Sequence, residues 1–568
     1  MTVTDARPPV PVAAPPAPLP VSVLPAQPAG SAAGSAATGD GAPPIRRLLR
    51  LRSDIVVEPD GDDVELTHPW GHQRVHGLGA GAVDLLRQLT AHEIDAAALA
   101  TLSDGVRLLR LLERFPFLVS SVLAAPGGPP LVTADPIARS ATLPARGPGT
   151  LAAGTEVVLS RFAYVRRLPG RLAEGTAVDG EDGAADDCVV ESPLASYRVT
   201  LHDPRAAAFV TALTRRRTVA DAAAEVALPL PAGRALAGLL AGTGFLDHTG
   251  DPAADDPVGD PGEEDTAGQS GPPSGRDPEL WDFHDLLFHS RSRAGRHDYP
   301  SGALFAHPEL PQVPAVPGTG PREEGPGIDL PVPDWADVVA RDATFTEVLE
   351  GRRSVRAYGD TPVTLDQLGE LLYRAARVRS VIPADPQYPS AYDVVDRPYP
   401  AGGSTGELEI YLSVTACVGL EPGVYRYDAA AHRLRPRHWS SAADESAFRE
   451  LVTSAWRATN RAVEPQVLFT ITSRFGRLSW KYSQIAYALT LKHVGVLYQT
   501  LYLVATAMGL GPCGLGSGDT DAAARALGLD WTAESSVGEF LIGSRPSGPA
   551  ALGTRFADIV EGAREAAR

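Results

Sequence analysis

The sequence predicts an α+β protein in which a C-terminal α+β domain carries the chemistry, preceded by two copies of a small strand-and-helix unit and a disordered N-terminus. Three observations carry that reading. Residues 479–510 are apolar almost all round at helical spacing, which is the pattern of a helix buried in a core or a subunit seam. A stretch near Pro69 recurs 124 positions further on without a gap, laying Pro69 on Pro193, Arg74 on Arg198, Val75 on Val199, Leu89 on Leu213 and Thr90 on Thr214, and so marks an internal repeat. Residues 1–44 are dominated by Pro, Ala and Gly and hold too little apolar bulk to offset the entropy of ordering them.

Composition narrows the class of protein. A chain of 568 residues is long enough for two to four units, and a net charge of −18 with 44% hydrophobic side chains suits a soluble globular protein. A nucleic-acid binder would carry a basic footprint, so none is expected. Cys188, Cys417 and Cys513 are odd in number and far apart, which offers neither a disulfide framework nor a zinc spacing and fits a reducing cytoplasm. No charged start leads into a sustained apolar run, so neither a signal peptide nor a membrane anchor is expected.

The first unit, 45–135, opens with strand-like text at 49–57 and 64–68 and continues with helical text at 80–89 and 105–114. Its second copy falls within 155–250, with strands at 188–190 and 197–201 and helices at 204–213, 219–224 and 233–243. A β-hairpin with three helices of this size looks like a winged helix. A DNA-binding winged helix needs a basic recognition helix, and here only Arg215, Arg216 and Arg217 cluster. An edge strand of such a unit can instead accept an extended peptide by strand addition. The segment 251–332 is an acidic, Gly/Pro-rich linker interrupted by a short amphipathic helix around Phe283, Leu286 and Leu287. His284, His289 and His297 have no carboxylate or cysteine at ligand spacing, so no metal is expected.

The third unit, 333–568, holds the candidate site. After a helix ending at Glu350, GRRSVRAY places Arg352, Arg353 and Arg356 within five residues, with the Ser354 hydroxyl between them. That density of guanidinium forks suits a phosphate and an electron-rich ring carbonyl held together. Thr364 caps a helix over 365–375. A turn with Gly402 and Gly403, where a backbone can approach a flat ligand, precedes a strand in which Leu408, Ile410, Leu412 and Val414 alternate with polar neighbours, the pattern of a half-buried strand. A hairpin from Gly423 and a strand at 467–472 follow. The buried helix is read as starting near Lys481 and Tyr482, with Ile485, Leu489, Val496 and Leu503 on one apolar face and Leu497, Leu501, Val504 and Met508 on a neighbouring one, and Gly509 and Gly511 stop it. Residues 511–518 read as a Gly-rich loop, Asp519 or Thr520 as the cap of a helix to Leu527, and 538–542 as a last strand running into Arg545. Of 51 basic side chains only Lys481 and Lys492 are lysines. A lysine kept beside Trp480 and Tyr482 in so arginine-biased a chain points to a task for a compact, deprotonatable ammonium.

Taken together, GRRSVRAY, the Pro/Gly turn before the alternating strand, the Lys-Tyr pair heading the buried helix and the GLGPCGLGSG loop resemble the nitroreductase-like flavoprotein superfamily. More closely they resemble its peptide azoline dehydrogenases of the SagB/ThcOx type, and FHDLLFHSRSRAGRH with the two repeated units is similar to the amino-terminal part of that family. The resemblance implies FMN held by Arg352, Arg353, Ser354 and Arg356, by backbone at Gly402 and Gly403, by the loop of Gly514, Leu515 and Gly516, and by Arg545 at the phosphate. It implies Lys481 and Tyr482 as the catalytic pair, one of which takes the proton when an azoline ring is oxidised to an azole; which of the two is the base stays open. It further implies an azoline-containing precursor peptide as substrate, a separate cyclodehydratase and a homodimer. Where the family commonly has Ser before the paired glycines, this chain has Ala401, so no hydroxyl is offered there. Two alternatives stand beside this reading: an NAD(P)H-dependent nitroreductase or flavin reductase, and a non-catalytic docking subunit of a peptide-modifying complex.

Overall fold

The computed structural model describes residues 45–142, 150–168, 187–248, 277–318, 323, 326–388, 391–438, 441–546 and 565. The expected N-terminal tail, 1–44, and the acidic part of the linker, 251–265, lie outside these residues.

The front half begins with β1 (Arg46–Leu51), a meander of β2 (Val56–Asp60), β3 (Asp63–His68) and β4 (Gly71–Val75), helix α1 (Ala80–Ala91), the short strand β5 (Ile94–Asp95), helices α2 (Ala96–Leu99) and α3 (Ser103–Arg114), and strands β6 (Val119–Ala124) and β7 (Pro130–Pro136). A second run follows: β8 (Glu156–Leu159), β9 (Tyr164–Leu168), β10 (Asp187–Glu191), β11 (Tyr197–Leu201), α4 (Pro204–Ala212), β12 (Arg217–Thr218), α5 (Val219–Glu225), α6 (Leu230–Gly242) and β13 (Leu246–His248). Strand, meander, helix, short strand, two helices and strand thus recur in the same order. Local chemistry sets the boundaries: Asp203 accepts from the Arg205 amide as the cap of α4, with Pro204 in the first helical position.

The two runs share one antiparallel sheet of seven strands in the order β5-β1-β6-β7-β11-β10-β9. The join is β7 against β11, with Ala134 opposite Val199. The first run contributes its outer strands β1, β5 and β6, and the second contributes its meander; β2-β3-β4 and β12-β8-β13 form separate three-stranded sheets. Leu49, Leu86 and Leu108 of the first run and Phe209, Leu236 and Phe245 of the second belong to one apolar core, each worth roughly 1.5–3 kcal/mol of burial.

Beyond the linker come α7 (Phe283–Arg291), β14 (Gly302–Ala303), β15 (Ile328–Asp329), α8 (Trp335–Arg341), α9 (Phe345–Gly351), α10 (Leu365–Ala376), β16 (Ser380–Ile382) and β17 (Val394–Asp396). The chain continues through β18 (Leu408–Val414), β19 (Gly423–Asp428), β20 (Arg433–Pro436), α11 (Ala442–Ala458), β21 (Val467–Arg474), α12 (Phe475–Ser479), β22 (Tyr482–Ser483), α13 (Ala486–Ala507), β23 (Leu510–Gly514), α14 (Thr520–Leu527) and β24 (Glu534–Ser544). A second seven-stranded sheet runs β15-β20-β19-β18-β21-β24-β23. Val467, Phe469 and Ile471 point to the side packed by α10 and α13, while Leu468 points to the side packed by α11 and α14, giving three layers.

Four local expectations change. Lys481 and Tyr482 are not on the first turn of the long helix: α12 ends at Ser479, Tyr482 and Ser483 pair as β22, and Gln484 takes a left-handed φ of 64° before α13 starts. Of the two expected apolar faces of α13, the one with Leu497 and Leu501 enters the core, together with His493, Val494 and Ala505, whereas Leu489, Val496 and Leu503 are only half-buried. The first part of the Gly-rich loop is strand β23, because Pro512 and Cys513 pair with Ile542 and Leu541. Strand β18 is buried on both faces, since helices cover both sides of the sheet. Helix α11 was not anticipated; its signature is the capping box of Ser441 and Asp444.

Candidate active site

The lysine end of the site is shaped by a turn that only glycine fits. Gly403 sits at φ 62°, and a Cβ there would collide with Lys481 Nζ and Tyr392 OH and stand 3.0 Å from Tyr482 OH. One amine and two phenols therefore converge over the Gly403 backbone. Tyr392 OH donates to Gly403 O at 2.8 Å, and Lys481 Nζ donates to Tyr392 OH. The ammonium stands 4.4 Å from the Tyr392 ring centroid and 5.1 Å from that of Tyr482, within cation–π range. Phe305 closes the side, its ring edge-on to Trp480 at 5.2 Å.

Beneath the same turn lies a buried pair. The Gly402 amide donates to His493 Nε2 at 2.7 Å, and His493 Nδ1 faces Glu407 Oε1 at 2.5 Å. Burial pushes the Glu407 carboxyl up, but the hydrogen bonds from His493 and Thr405 oppose it and the group is held below the usual carboxylate value. Thr405 Oγ1 donates to the second Glu407 oxygen at 3.0 Å, and Arg477 Nε donates to Thr405 O at 2.8 Å. The glycine turn is thus held from below at Gly402 and at Thr405.

The arginine end lies further along α13. Tyr502 is nine residues past His493, about 13 Å at 1.5 Å per residue. Its hydroxyl accepts the Gly514 amide at 2.7 Å and lies 2.7 Å from Ser354 Oγ, while the Arg352 guanidinium stands 5.1 Å over its ring. The Val355 amide donates to Pro512 O at 2.8 Å and Arg545 Nε to Leu510 O at 2.8 Å, which fixes the arginine segment against β23. Burial lowers the Arg545 pKa, and the charge of Arg353 beside it lowers it further. Burial raises the Cys513 thiol, opposed by the charge and hydrogen bond of Arg356. Among the described residues, no carboxylate pairs with Arg352, Arg353, Arg356 or Arg545. Arg353 and Arg545, near enough for their charges to act on one another, and Arg356 beside Cys513 of β23 are a set of donors that fits the phosphate of a flavin mononucleotide. Among the described residues, no group of three His, Cys, Asp or Glu is placed to hold a metal ion, and no helix is long and apolar enough to cross a membrane.

The sequence-derived residues thus fall into two sets on α13: Lys481, Tyr482, Gly402 and Gly403 at its start, and Arg352, Arg353, Ser354, Arg356, Gly514 and Arg545 near its end. Leu515 and Gly516 continue from the second set into a cavity of about 260 Å³ that also touches Tyr487, Thr520, Ser536 and Glu539. Burial pushes the Glu539 carboxyl up to about 7, opposed by a hydrogen bond to Ser536. Tyr392, His493, Glu407, Tyr502 and Glu539 escaped the sequence reading. For His493 a signal existed: a histidine on the core side of a nearly all-apolar helix needs a buried partner.

A three-layer antiparallel α+β domain with an unpaired arginine cluster and a glycine turn at its helix ends is the framework of a flavin-type oxidoreductase. Residues 349–544 match the nitroreductase family profile. A protein of Methanocaldococcus jannaschii that bears the nitroreductase name is 30% identical over 197 residues, covering 34% of this chain and 86% of the relative. The chain belongs to the nitroreductase family. Residues 183–298 also match the profile of the cyanobactin oxidase ThcOx. Similar solved structures include a nitroreductase-named protein of Ralstonia eutropha (22% identity, 42% of this chain and 100% of that one, TM-score 0.30). Another is a chain of the E. coli microcin synthetase McbBCD complex with truncated pro-MccB17 bound (20% identity, 46% and 91%, TM-score 0.29).

Proposed function

We propose that this protein is an FMN-dependent azoline dehydrogenase that oxidises thiazoline or oxazoline rings to azoles in a ribosomally made peptide. The observation that carries the reading is the convergence of Lys481 Nζ, Tyr482 OH and Tyr392 OH over Gly403, in a chain that also matches the ThcOx profile. Forming an azole removes one ring hydrogen as a proton and one as a hydride. Bound FMN supplies the hydride acceptor. The chain's own task is the proton: Lys481 and Tyr482 present an amine and a phenol to the ring, and Tyr392, bonded to both Lys481 and Gly403 O, holds the ammonium in place. Arg352, Arg353, Ser354, Arg356 and Arg545 would hold the phosphate and the electron-rich ring edge, with Gly402, Gly403, Gly514, Leu515 and Gly516 admitting the flat cofactor by backbone.

Ring formation itself falls to a separate cyclodehydratase, and the front half, with the linker to residue 298, holds the precursor peptide in the cytoplasm. The protein acts as a homodimer. In support, Tyr487 and Leu491 on α13 are 46% and 40% exposed, and Phe345 and Leu349 on the neighbouring α9 are 68% and 40% exposed, an apolar surface that a second copy would cover. A nitroreductase activity fed by a nicotinamide cofactor is the second reading, favoured by the nitroreductase-named relative, which is matched over 34% of this chain. Incubating the purified yellow protein with a thiazoline peptide under air and weighing the product separates the two. Loss of two hydrogen masses per ring supports the dehydrogenase; no mass change alongside nicotinamide-dependent nitro reduction supports the reductase.

A further inference from the structure

The segment 297–305 connects a buried charge cluster of the front sheet to the lysine end of the site. Asp298 has a side chain 3% exposed and receives Arg198 Nη2 at 2.9 Å and Arg52 Nη2 at 3.5 Å. Arg52 also meets Asp54 at 2.5 Å, and Glu191 accepts Arg198 Nε at 2.7 Å and Arg166 Nε at 2.8 Å. The next residue joins the same cluster: Tyr299 OH donates to Glu191 Oε1 at 3.1 Å, and the Arg198 guanidinium stands 4.9 Å over its ring. Three guanidiniums, Arg52 just past β1, Arg166 on β9 and Arg198 on β11, thus face the carboxylates of Asp54, Glu191 and Asp298, and two consecutive linker residues are held among them. A buried charge so compensated is costly to withdraw, since moving Asp298 would take one carboxylate from each of two buried arginines, Arg52 and Arg198.

Three residues beyond Tyr299 the same segment becomes β14. Gly302 lies opposite Ser483 and Ala303 opposite Tyr482, and the Phe305 amide donates to the Lys481 carbonyl at 3.1 Å. Residues 481–483 lie between the short helix α12 and the left-handed Gln484, and β14 is the strand they pair with. Gly302 has φ 115°, a conformation that side-chain-bearing residues avoid, and open space where a Cβ would stand.

We infer that Asp298 is a positioning residue: anchored by Arg52 and Arg198, it fixes the strap 298–305 whose strand and amide hold the backbone of Lys481 and Tyr482 beneath the site. The inference rests on the proposed role of that pair for its catalytic consequence, though not for its structural one. It makes the front half a part of the active-site scaffold as well as a place for peptide to bind.

The test uses the full-length, flavin-loaded protein with two variants, Asp298→Asn, which weakens the anchor, and Gly302→Val, which leaves the charge cluster intact and distorts the strap. Hydrogen exchange is followed at the Phe305 and Ser483 amides, with the amides of α13 around Leu497 as the internal reference for global unfolding. Both variants are expected to lose at least tenfold protection at Phe305 while the reference is unchanged, and Asp298→Glu to restore part of it. With a thiazoline peptide, kcat is expected to fall by about tenfold or more at constant flavin content. Unchanged Phe305 protection in Asp298→Asn would overturn the inference, as would a loss shared equally by the α13 amides. If the wild-type protein aromatises no azoline, the proposed function fails, and the exchange result still decides the strap.

Discussion

The Gly402 amide points at His493 Nε2 from 2.7 Å, and that single bond fixes the chemistry of the imidazole. An Nε2 that accepts carries no proton, so the ring proton sits on Nδ1 and is donated to Glu407, 2.5 Å away. His493→Ala would free the glycine amide and leave a fully buried carboxylate with the Thr405 hydrogen bond but without that of the imidazole. Such a loss costs about 1.5–3 kcal/mol, and the variant is expected to melt lower and to load less flavin. His493→Gln, whose amide can still donate to Glu407, should recover part of the stability. Equal melting temperatures of wild type and His493→Ala, measured by calorimetry, would show the pair to be structurally idle.

Lys481→Ala and Tyr482→Phe are each expected to leave the fold and flavin content near wild type and to lower azole formation by about 10²–10⁴-fold, the usual worth of positioned acid–base groups. Tyr392→Phe should lower it less, because Tyr392 acts by holding the ammonium. Gly403→Ala should resemble Lys481→Ala, since its methyl takes the place of the lysine Nζ. Lys492 is exposed, and Lys492→Ala is the control. Azole yield per flavin reads out all five, and a Lys492→Ala defect as deep as that of Lys481→Ala would remove the case for Lys481.

Arg353 and Arg545 repel one another in the absence of an anion. Arg353→Ala is therefore expected to raise the melting temperature of the flavin-free protein slightly while weakening FMN binding. Arg352→Ala, which loses charge-assisted bonds, should weaken binding by about 1.5–3 kcal/mol per bond, or roughly 10- to 100-fold in Kd. Fluorescence titration with FMN and melts of the apoprotein give the two signs separately. Undiminished affinity in both variants would place the phosphate elsewhere.

Glu539 is a carboxyl raised to about 7 by burial. A folded-state value above the unfolded one means the folded protein binds the proton more tightly. The associated stability is complete below about pH 4.5 and is lost as pH rises through 7. The loss is on the order of 3 kcal/mol. Glu539→Gln, neutral and of the same shape, should melt with wild type at pH 4.5 and above it at pH 8. Parallel melting curves across that range would mean that the carboxyl titrates normally.

The short-range features of the fold were legible and the pairings across the chain were not. Thr364 announced its helix, and the structure shows the full capping box with Gln367. The alternation of Leu408–Val414 announced a strand but not that helices cover both its faces, because alternating Glu409, Tyr411 and Ser413 look solvent-bound until Arg474 and Arg397 are found beside Glu409. Residues 511–514 looked like part of a loop because glycines favour turns, whereas the partner strand 540–544 supplies the pairing. At the site, the lysine was conspicuous by composition alone. Its neighbour Tyr392 and the Glu407 partner of His493 lie more than 80 residues away in sequence, and no local pattern brings them together.

The pairing of β7 with β11 has a consequence for how the front half could have arisen and how it can fail. Each repeat on its own would end in a raw strand edge, an unpaired row of amides and carbonyls that invites association with other chains. In the joined sheet those two edges cancel one another, leaving the short β5 at one rim and the arginine-bearing β9 at the other. Neither copy can therefore be excised, duplicated again or exchanged with a relative's without reopening an adhesive border. Truncation between residues 136 and 197 should produce aggregates rather than a smaller soluble module.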